Sequence, residues 1–346
     1  MTQPWRGHFD PDPGYLNTAT AGVPPRAAVT AMNGLLEQWQ RGRLNPTDFD
    51  EYVARSRDAW ARLSGVDATC VATGAAVSAL VGLVAAALPD GAQVLVAEGD
   101  FTSVLFPFLT QERRGVRVRA VPLTELVASV DDAVDLIAVS AVQSADGRAV
   151  DVAALTTTAA LHRAQLLLDT TQSCGWLPLD VSAIDYVVCA AYKWLLCPRG
   201  VAFLSVRPDR LSGLTPSAAG WYAGQDVWNS IYGLPLRLAE DARRLDISPA
   251  WFCWVGAAHA LKLLAAIDAE SIRSHDVGLA DAFLAGLDRP PQQSAIVTVD
   301  AADAAERLAA ASIRTAVRAG RVRASFHLYN DLHDVELAVD ALRGTH

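Results

Sequence analysis

The chain is almost without lysine. Of its 29 basic residues only Lys193 and Lys262 are lysines, and the rest are arginines. Arginine serves as well for surface charge, but it stays protonated, whereas a lysine amine can lose its proton and form a Schiff base. A lysine retained in such a background therefore points to amine chemistry. Lys262, in Ala257-Ala258-His259-Ala260-Leu261-Lys262-Leu263-Leu264, reads as an ordinary helix surface position. Basic charge is also short in total: 29 cationic residues face 38 anionic ones, for a net charge of -9. That balance disfavours a nucleic-acid partner, which calls for a basic face against phosphates. Long apolar runs are missing too. The longest, Ala75 to Leu88, has 14 residues and contains Ser78, short of the roughly 20 that cross a bilayer, so no membrane partner is expected. The opening Met1-Thr2-Gln3-Pro4-Trp5-Arg6-Gly7-His8-Phe9-Asp10 has no basic segment followed by an apolar one. No secretory signal is expected, and a cytoplasmic location is the default. Cysteine is scarce: Cys70, Cys174, Cys189, Cys197 and Cys253 form an odd set with no Cys-x-x-Cys pair. They read as buried free thiols, with neither disulfide nor metal site expected.

What is present is a globular composition. Of 346 residues, 51% are hydrophobic and 19% charged, enough for a large core and about two domains. Short β-branched runs alternate with longer Ala/Leu stretches, the pattern of strands joined by crossover helices, so the fold class is α/β with a mostly parallel central sheet. Strands are expected at 94–97, 117–121, 136–140, 166–169, 186–190 and 201–206. Helices are expected at 75–88, 103–114 and 152–163. From about Arg207 the texture changes, and 213–233 reads as an irregular, aromatic-rich connection. A helical pattern over 249–268 follows, then 272–287, then a short αβ set at 296–299, 302–311, 321–325 and 331–342. The expected domains are a large unit, 1–238, and a small α+β unit, 239–346, with the N-terminal segment able to pack on the small one.

In an open parallel sheet, ligands sit beyond the carboxyl ends of the strands. Three segments meet that condition. Val71-Ala72-Thr73-Gly74-Ala75-Ala76 opens a helix with small residues, leaving backbone N–H groups bare for an anion. Leu166-Leu167-Leu168-Asp169 places an acid at the end of a buried strand, where it needs a partner. Val187-Val188-Cys189-Ala190-Ala191-Tyr192-Lys193 places a lysine at the end of the next one. On spacing alone, Asp169 and Lys193 read equally as a plain ion pair or as two walls of one site. Phosphate donors, a strand-end acid and a strand-end lysine are together what pyridoxal 5'-phosphate requires.

Asp169-Thr170-Thr171-Gln172-Ser173, then Asp180-Val181 and Asp185-Tyr186, then Tyr192-Lys193-Trp194-Leu195-Leu196-Cys197-Pro198-Arg199-Gly200 resemble, in order, the cofactor region of the class V aminotransferase family. That family includes cysteine desulfurases, kynureninases, isopenicillin N epimerase-like enzymes and C–S lyases. Tyr15-Leu16-Asn17-Thr18-Ala19, Asp100-Phe101-Thr102-Ser103, Ser140-Ala141-Val142-Gln143-Ser144 and Arg321-Val322-Arg323-Ala324-Ser325-Phe326-His327-Leu328-Tyr329-Asn330 are similar to further stretches of it. The resemblance implies the fold type I architecture, pyridoxal 5'-phosphate as cofactor, an amino-acid substrate and a homodimer with its active site at the subunit interface. It implies that Lys193 is the Schiff-base amine and later the proton shuttle. Asp169 then pairs with the pyridine nitrogen, Gln172 reaches the ring hydroxyl and Phe101 stacks on the ring. Tyr192, with Thr73, Gly74, Ala75 and Ala76, faces the phosphate. Arg323 binds the substrate carboxylate, which a planar guanidinium grips through two parallel hydrogen bonds. Asn17 belongs to the substrate side, and Ser248 resembles, one residue short in spacing, a family threonine that reaches across the dimer.

This chain departs from the family in carrying Ala75, Ala76 and Ala190 where relatives place hydroxyl residues. It also has no cysteine in the region before Arg323, Ala309-Ala310-Ala311-Ser312-Ile313-Arg314, which argues against sulfur relay through a protein thiol. Gly220-Trp221-Tyr222-Ala223-Gly224 reads either as a substrate wall, in this pocket or the neighbouring subunit's, or as an aromatic dimer contact. The expected activity is chemistry at the Cα of an amino acid, with an aminotransferase of specialised biosynthesis as first choice. The alternatives are a C–S β-lyase acting on a cysteine S-conjugate, epimerisation, and decarboxylating or oxidative deamination. A non-catalytic module of the same fold is a further alternative, against which Lys193, Asp169 and Arg323 all argue.

Overall fold

The computed structural model describes residues 5–300 and 303–344. Its central sheet contains β1 (Val71–Gly74), β2 (Gln93–Ala97), β3 (Arg117–Val121), β4 (Leu136–Ser140), β5 (Gln165–Asp169), β6 (Tyr186–Ala190) and β7 (Ala202–Val206), in the spatial order β1-β7-β6-β5-β4-β2-β3. The strands from β3 to β6 are parallel, and β7 runs antiparallel to both β6 and β1. Every residue of β4 and β6 is buried, as parallel strands covered on both faces require. Successive side chains go to opposite faces. Ile137 and Val139 join the core that holds Trp60 and Phe203, while Leu136 and Ala138 join the one that holds Val81 and Phe108.

The helices are α1 (Arg26–Gln40), α2 (Phe49–Ser64), α3 (Val77–Ala87), α4 (Thr102–Leu109), α5 (Val152–His162), α6 (Trp251–Leu264), α7 (Ala269–Gly286), α8 (Ala304–Ala310) and α9 (Leu332–Arg343). A second sheet, antiparallel throughout, orders β8 (Ile296–Val299), β10 (Arg321–Ser325) and β9 (Ala316–Arg318) as β8-β10-β9. It shares a third core with α7, α8 and α9, and Leu16 is buried in that core. The segment before α1 is tied there by Leu16, whose N–H donates to the Arg314 carbonyl at 2.9 Å, and by Ser325 N–H donating to the Leu16 carbonyl at 2.9 Å. No single helix among the described residues is long and apolar enough to cross a membrane.

Several expectations need correction. The segment 71–74 is a strand at the sheet edge and not merely the lead into a helix, and α3 starts only at Val77. Its four residues carry too little pattern to register as a strand. The helix expected over 103–114 ends at Leu109, and a separate short turn at Glu112–Arg114 leads to Gly115 in the left-handed region at φ 78°. The three-residue β9 escaped notice for the same reason as β1. Of the helix expected at 302–311, residue 302 lies outside the described residues, and α8 covers Ala304–Ala310, with Asp303 before its first turn. Beyond the expected boundary at 239, α6 packs on the core of the central sheet. Trp254, Ala257 and Leu261 of α6 lie in the Trp60 core, where the Phe203 ring is stacked on Trp60 at 5.0 Å and meets Trp254 edge-on at 5.6 Å.

The edge strand β1 is secured by a buried charge pair. Asp246 and Arg57, 1% and 8% exposed at their side chains, meet at 2.6 Å, and Asp246 also accepts the Thr73 N–H at 2.7 Å. Arg57 in turn donates to the Val71 carbonyl. Removing one partner strands the other charge in a dry site. Arg57→Met is therefore expected to cost about 3–5 kcal/mol in urea unfolding, part of which the Arg57→Met/Asp246→Asn double variant recovers. A loss below about 1 kcal/mol would place this pair with solvent-screened surface bridges.

Candidate active site

The carboxyl ends of β4, β5 and β6 open on one cavity of about 270 Å³, near the lower bound of small-molecule sites. Ala75, Ala76, Val77 and Ser78 from the start of α3 and Phe101, Thr102 and Ser103 from the start of α4 line it. So do Ser140, Ser144, Asp169, Thr171, Gln172, Ala190, Tyr192, Lys193 and Arg199. Neighbouring parallel strands deliver their following residues to the same crevice, so Asp169 and Lys193 face one space although 24 positions separate them.

Both groups are buried. Burial pushes the Asp169 carboxyl up to about 6 against the Thr171 hydrogen bonds and the Lys193 charge, with Asp100 adding to the rise. Burial pulls the Lys193 amine down to about 8; Asp169 opposes that fall, and Arg323 adds to it. At pH 7 the acid is ionised and the amine protonated, but the amine loses its proton far more readily than a surface lysine does. The Lys193 Nζ stands 5.1 Å from the centre of the half-exposed Phe101 ring.

The turn carrying Lys193 is held from outside the sheet. Gly22 donates its N–H to the Tyr192 carbonyl at 2.9 Å, and a Cβ there would lie 2.0 Å from the Lys193 carbonyl oxygen, so only glycine fits. His327, fully buried, has Nε2 3.0 Å from the Trp194 carbonyl and Nδ1 2.8 Å from Asp276 on α7. A carbonyl can only accept, so Nε2 carries a proton.

Gln172 accepts from Trp194 Nε1 at 2.8 Å and donates to the Ala19 carbonyl at 3.0 Å and to Ser144 Oγ at 2.9 Å. Ser144 in turn accepts from Arg323 Nη1 through its carbonyl and, at 3.1 Å, its hydroxyl; Arg323 Nη2 donates to Thr20 Oγ1 at 2.8 Å. Arg323 stands directly behind Ser144. Burial draws its guanidinium down to about 10, no carboxylate pairs with it among the described residues, and its buried Nε has no hydrogen-bond partner. A buried guanidinium with an unused donor is suited to a carboxylate supplied by a ligand.

The start of α3 has the opposite polarity to Asp169. Ala76, the residue before its first turn, makes no side-chain cap, so the first-turn N–H groups remain as donors for an anion. The donor set fits pyridoxal 5'-phosphate: an easily deprotonated amine, a buried acid for a ring nitrogen, bare amides for a phosphate, and the unpartnered Arg323 Nε for the carboxylate of an incoming amino acid.

Of the residues singled out in the sequence, Ala75, Ala76, Phe101, Asp169, Gln172, Tyr192 and Lys193 share this cavity. Others do not. Thr73 and Gly74 lie behind the lining, Thr73 bound to Asp246 and Gly74 closed in by Leu80. Asn17 lines a different, larger cavity beside Ile313 and Arg314. Ser248 is exposed and apart from the lining. Trp221 and Tyr222 are also apart from it: the Tyr222 hydroxyl and Trp228 Nε1 both bind Asp50, at 3.0 and 2.6 Å, and Trp221 packs on both rings. Unclaimed acceptors on Asp50 drew these aromatics, and aromatic content alone could not reveal that. Sequence reasoning missed Ser78, Ser144 and Arg199 in the lining, and Thr20 and His327 behind it. Ser144, Arg199 and His327 did lie inside stretches that carried the resemblance. None of the five cysteines lines the cavity.

A family model described as aminotransferase class-V matches residues 19–315. Isopenicillin N epimerase of Streptomyces clavuligerus is 29% identical over 306 residues, 79% of this chain and 74% of that protein. Kynureninase of Deinococcus radiodurans is 25% identical over 318 residues, 87% and 77% of the two chains. Among solved structures, the cysteine desulfurase CsdA of Escherichia coli superposes with a TM-score of 0.85 at 20% identity, covering 99% of this chain and 98% of that one. At that identity the match establishes the fold.

The depressed amine gives a direct test. In the cofactor-free chain, reductive methylation of Lys193, followed by mass spectrometry of its peptide, should rise with pH through a midpoint near 8. Asp169→Asn removes the charge that favours the ammonium, so the midpoint should move to lower pH. A midpoint that stays or rises would show that the two groups do not sense each other.

Proposed function

The chain belongs to the class V aminotransferase family of pyridoxal-phosphate enzymes, and from that premise we propose that it transfers the amino group of a carboxylate-bearing amino acid. The observation that carries this reading is the convergence of a deprotonatable Lys193, an ionised Asp169 and, one residue behind the lining, a guanidinium with no carboxylate of its own. When bound, pyridoxal 5'-phosphate supplies an electron sink for charge developing at the substrate Cα. Lys193 anchors the cofactor and afterwards, near neutral pH, takes the proton from Cα and returns it. Asp169 holds positive charge on the ring nitrogen, Gln172 serves the ring hydroxyl and Phe101 covers a ring face. Tyr192, Ala75 and Ala76 serve the phosphate end. Arg323 orients the substrate carboxylate so that the Cα–H bond faces Lys193.

Amino-group transfer asks least of the residues present. Sulfur transfer to the protein needs a thiol in the cavity, and none lines it. Epimerisation needs a second acid–base group facing Lys193 across the substrate, while the remaining titratable side chains of the lining are Tyr192, adjacent to Lys193 in sequence, Asp169 and Arg199.

The protein is further proposed to act as a homodimer. Between Gly224 and Ala239 the chain leaves Tyr232, Leu234 and Leu236 87%, 93% and 75% exposed, a patch that a second copy would cover. Trp221, Tyr222 and Ser248 then contribute at the contact between subunits.

Borohydride treatment of the loaded protein should attach the cofactor to the Lys193 peptide and leave Lys262 unmodified; Lys193→Ala should lose the attachment and turnover together. Arg323→Ala should lower kcat/KM for amino acids about a hundredfold, mostly through KM, with little effect on amines that lack the carboxylate. Incubation with a panel of amino acids and a keto-acid acceptor tests the reaction type. Release of pyruvate and thiol without any acceptor would replace transamination by β-elimination.

A further inference from the structure

We propose that Arg199 binds the cofactor phosphate, supplying by charge what the methyl groups of Ala75, Ala76 and Ala190 do not supply by hydrogen bonding; the inference rests on the pyridoxal-phosphate reading above. Three lining positions around the start of α3 and the end of β6 are Ala75, Ala76 and Ala190, which offer only methyl groups beyond their backbone. A phosphate monoester carries about 1.5 to 2 negative charges at pH 7, and a helix start supplies roughly half a positive charge. Of the charged side chains in the lining, Asp169 has the wrong sign and Lys193 is committed to Asp169 and to the cofactor carbonyl. Arg199 is the remaining cation.

Its placement suits the task. The guanidinium carbon stands 5.1 Å from the centre of the Tyr192 ring, a cation–π stack that keeps a long side chain at the cavity wall. No carboxylate forms an ion pair with it among the described residues. The backbone beneath is fixed: Pro198 precedes it, its carbonyl accepts from Cys253 Sγ at 3.2 Å, and Gly200 follows at φ 108°. A planar guanidinium can meet two phosphate oxygens at once. Tyr192 then has a stated part as the platform that holds the guanidinium. Ser78, whose exposed side chain lines the same wall, completes the polar side of that end.

Equilibrium binding of pyridoxal 5'-phosphate and of pyridoxal, which lacks the phosphate, to the full chain stripped of cofactor separates the possibilities. Arg199→Gln should weaken the phosphorylated ligand about tenfold or more and leave pyridoxal unchanged, with Arg199→Lys intermediate. Inorganic phosphate should compete with the cofactor in the unsubstituted chain and compete less well in Arg199→Gln. Equal losses for both ligands, or no loss for either, overturn the assignment of Arg199 while the cofactor reading stands. An unsubstituted chain that takes up no pyridoxal 5'-phosphate overturns both. Because Arg199 is exposed, an unchanged circular dichroism spectrum is expected for each variant and serves as the folding control.

Discussion

An ammonium and a carboxylate withdrawn from water into one cavity are the constraint around which this protein is arranged. Neither charge is comfortable there, since desolvation raises the acid and depresses the amine. Their mutual attraction only partly offsets that cost. The remainder is met by the extended sheet and its two covering layers, which hold the ends of β5 and β6 at fixed separation whatever the preference of the residues that follow them. The same withdrawal makes the amine reactive, so the instability of the site and its chemistry have one cause.

Around that pair, polar groups are connected rather than scattered. A continuous set of hydrogen bonds runs from Asp276 and His327 through the Trp194 carbonyl, and from the Trp194 indole through Gln172 and Ser144 to Arg323. Each member is buried or nearly so, and in a low-dielectric interior such a set is rigid when satisfied. It leaves one donor free, the Arg323 Nε. A network that holds a carboxylate-binding group in place with a donor to spare is preorganised for that ligand.

Much of this was legible in the chain itself. The central strands announced themselves because both faces are covered and each is an uninterrupted apolar run. Lys193 and Asp169 stood out because a charge at the end of such a run is anomalous. What was hidden falls into three physical kinds. Edge strands of three or four residues, β1 and β9, carry too few side chains to display a period. Long-range partners such as Thr20 and Ser144, which meet Arg323 from 303 and 179 positions away, leave no local trace. Arg199 sits inside the stretch that carries the resemblance, yet as one guanidinium among many its residue type does not set it apart. Trp221 and Tyr222 belong to a loop whose aromatic character reads equally as a substrate wall or a dimer contact, and in this chain Asp50 holds Tyr222 and Trp228 outside the cavity.

The segment running from Gly14 to Gly22 has little slack. At one end its Gly14 N–H is bound to Asp334 at the start of α9; at the other, Gly22 touches the Lys193 backbone so closely that no methyl group could intervene. Such a strap works as a tie rod. With one end fixed at α9 and the other at the peptide bearing the nucleophile, a shift of either anchor is passed along the strap to the other.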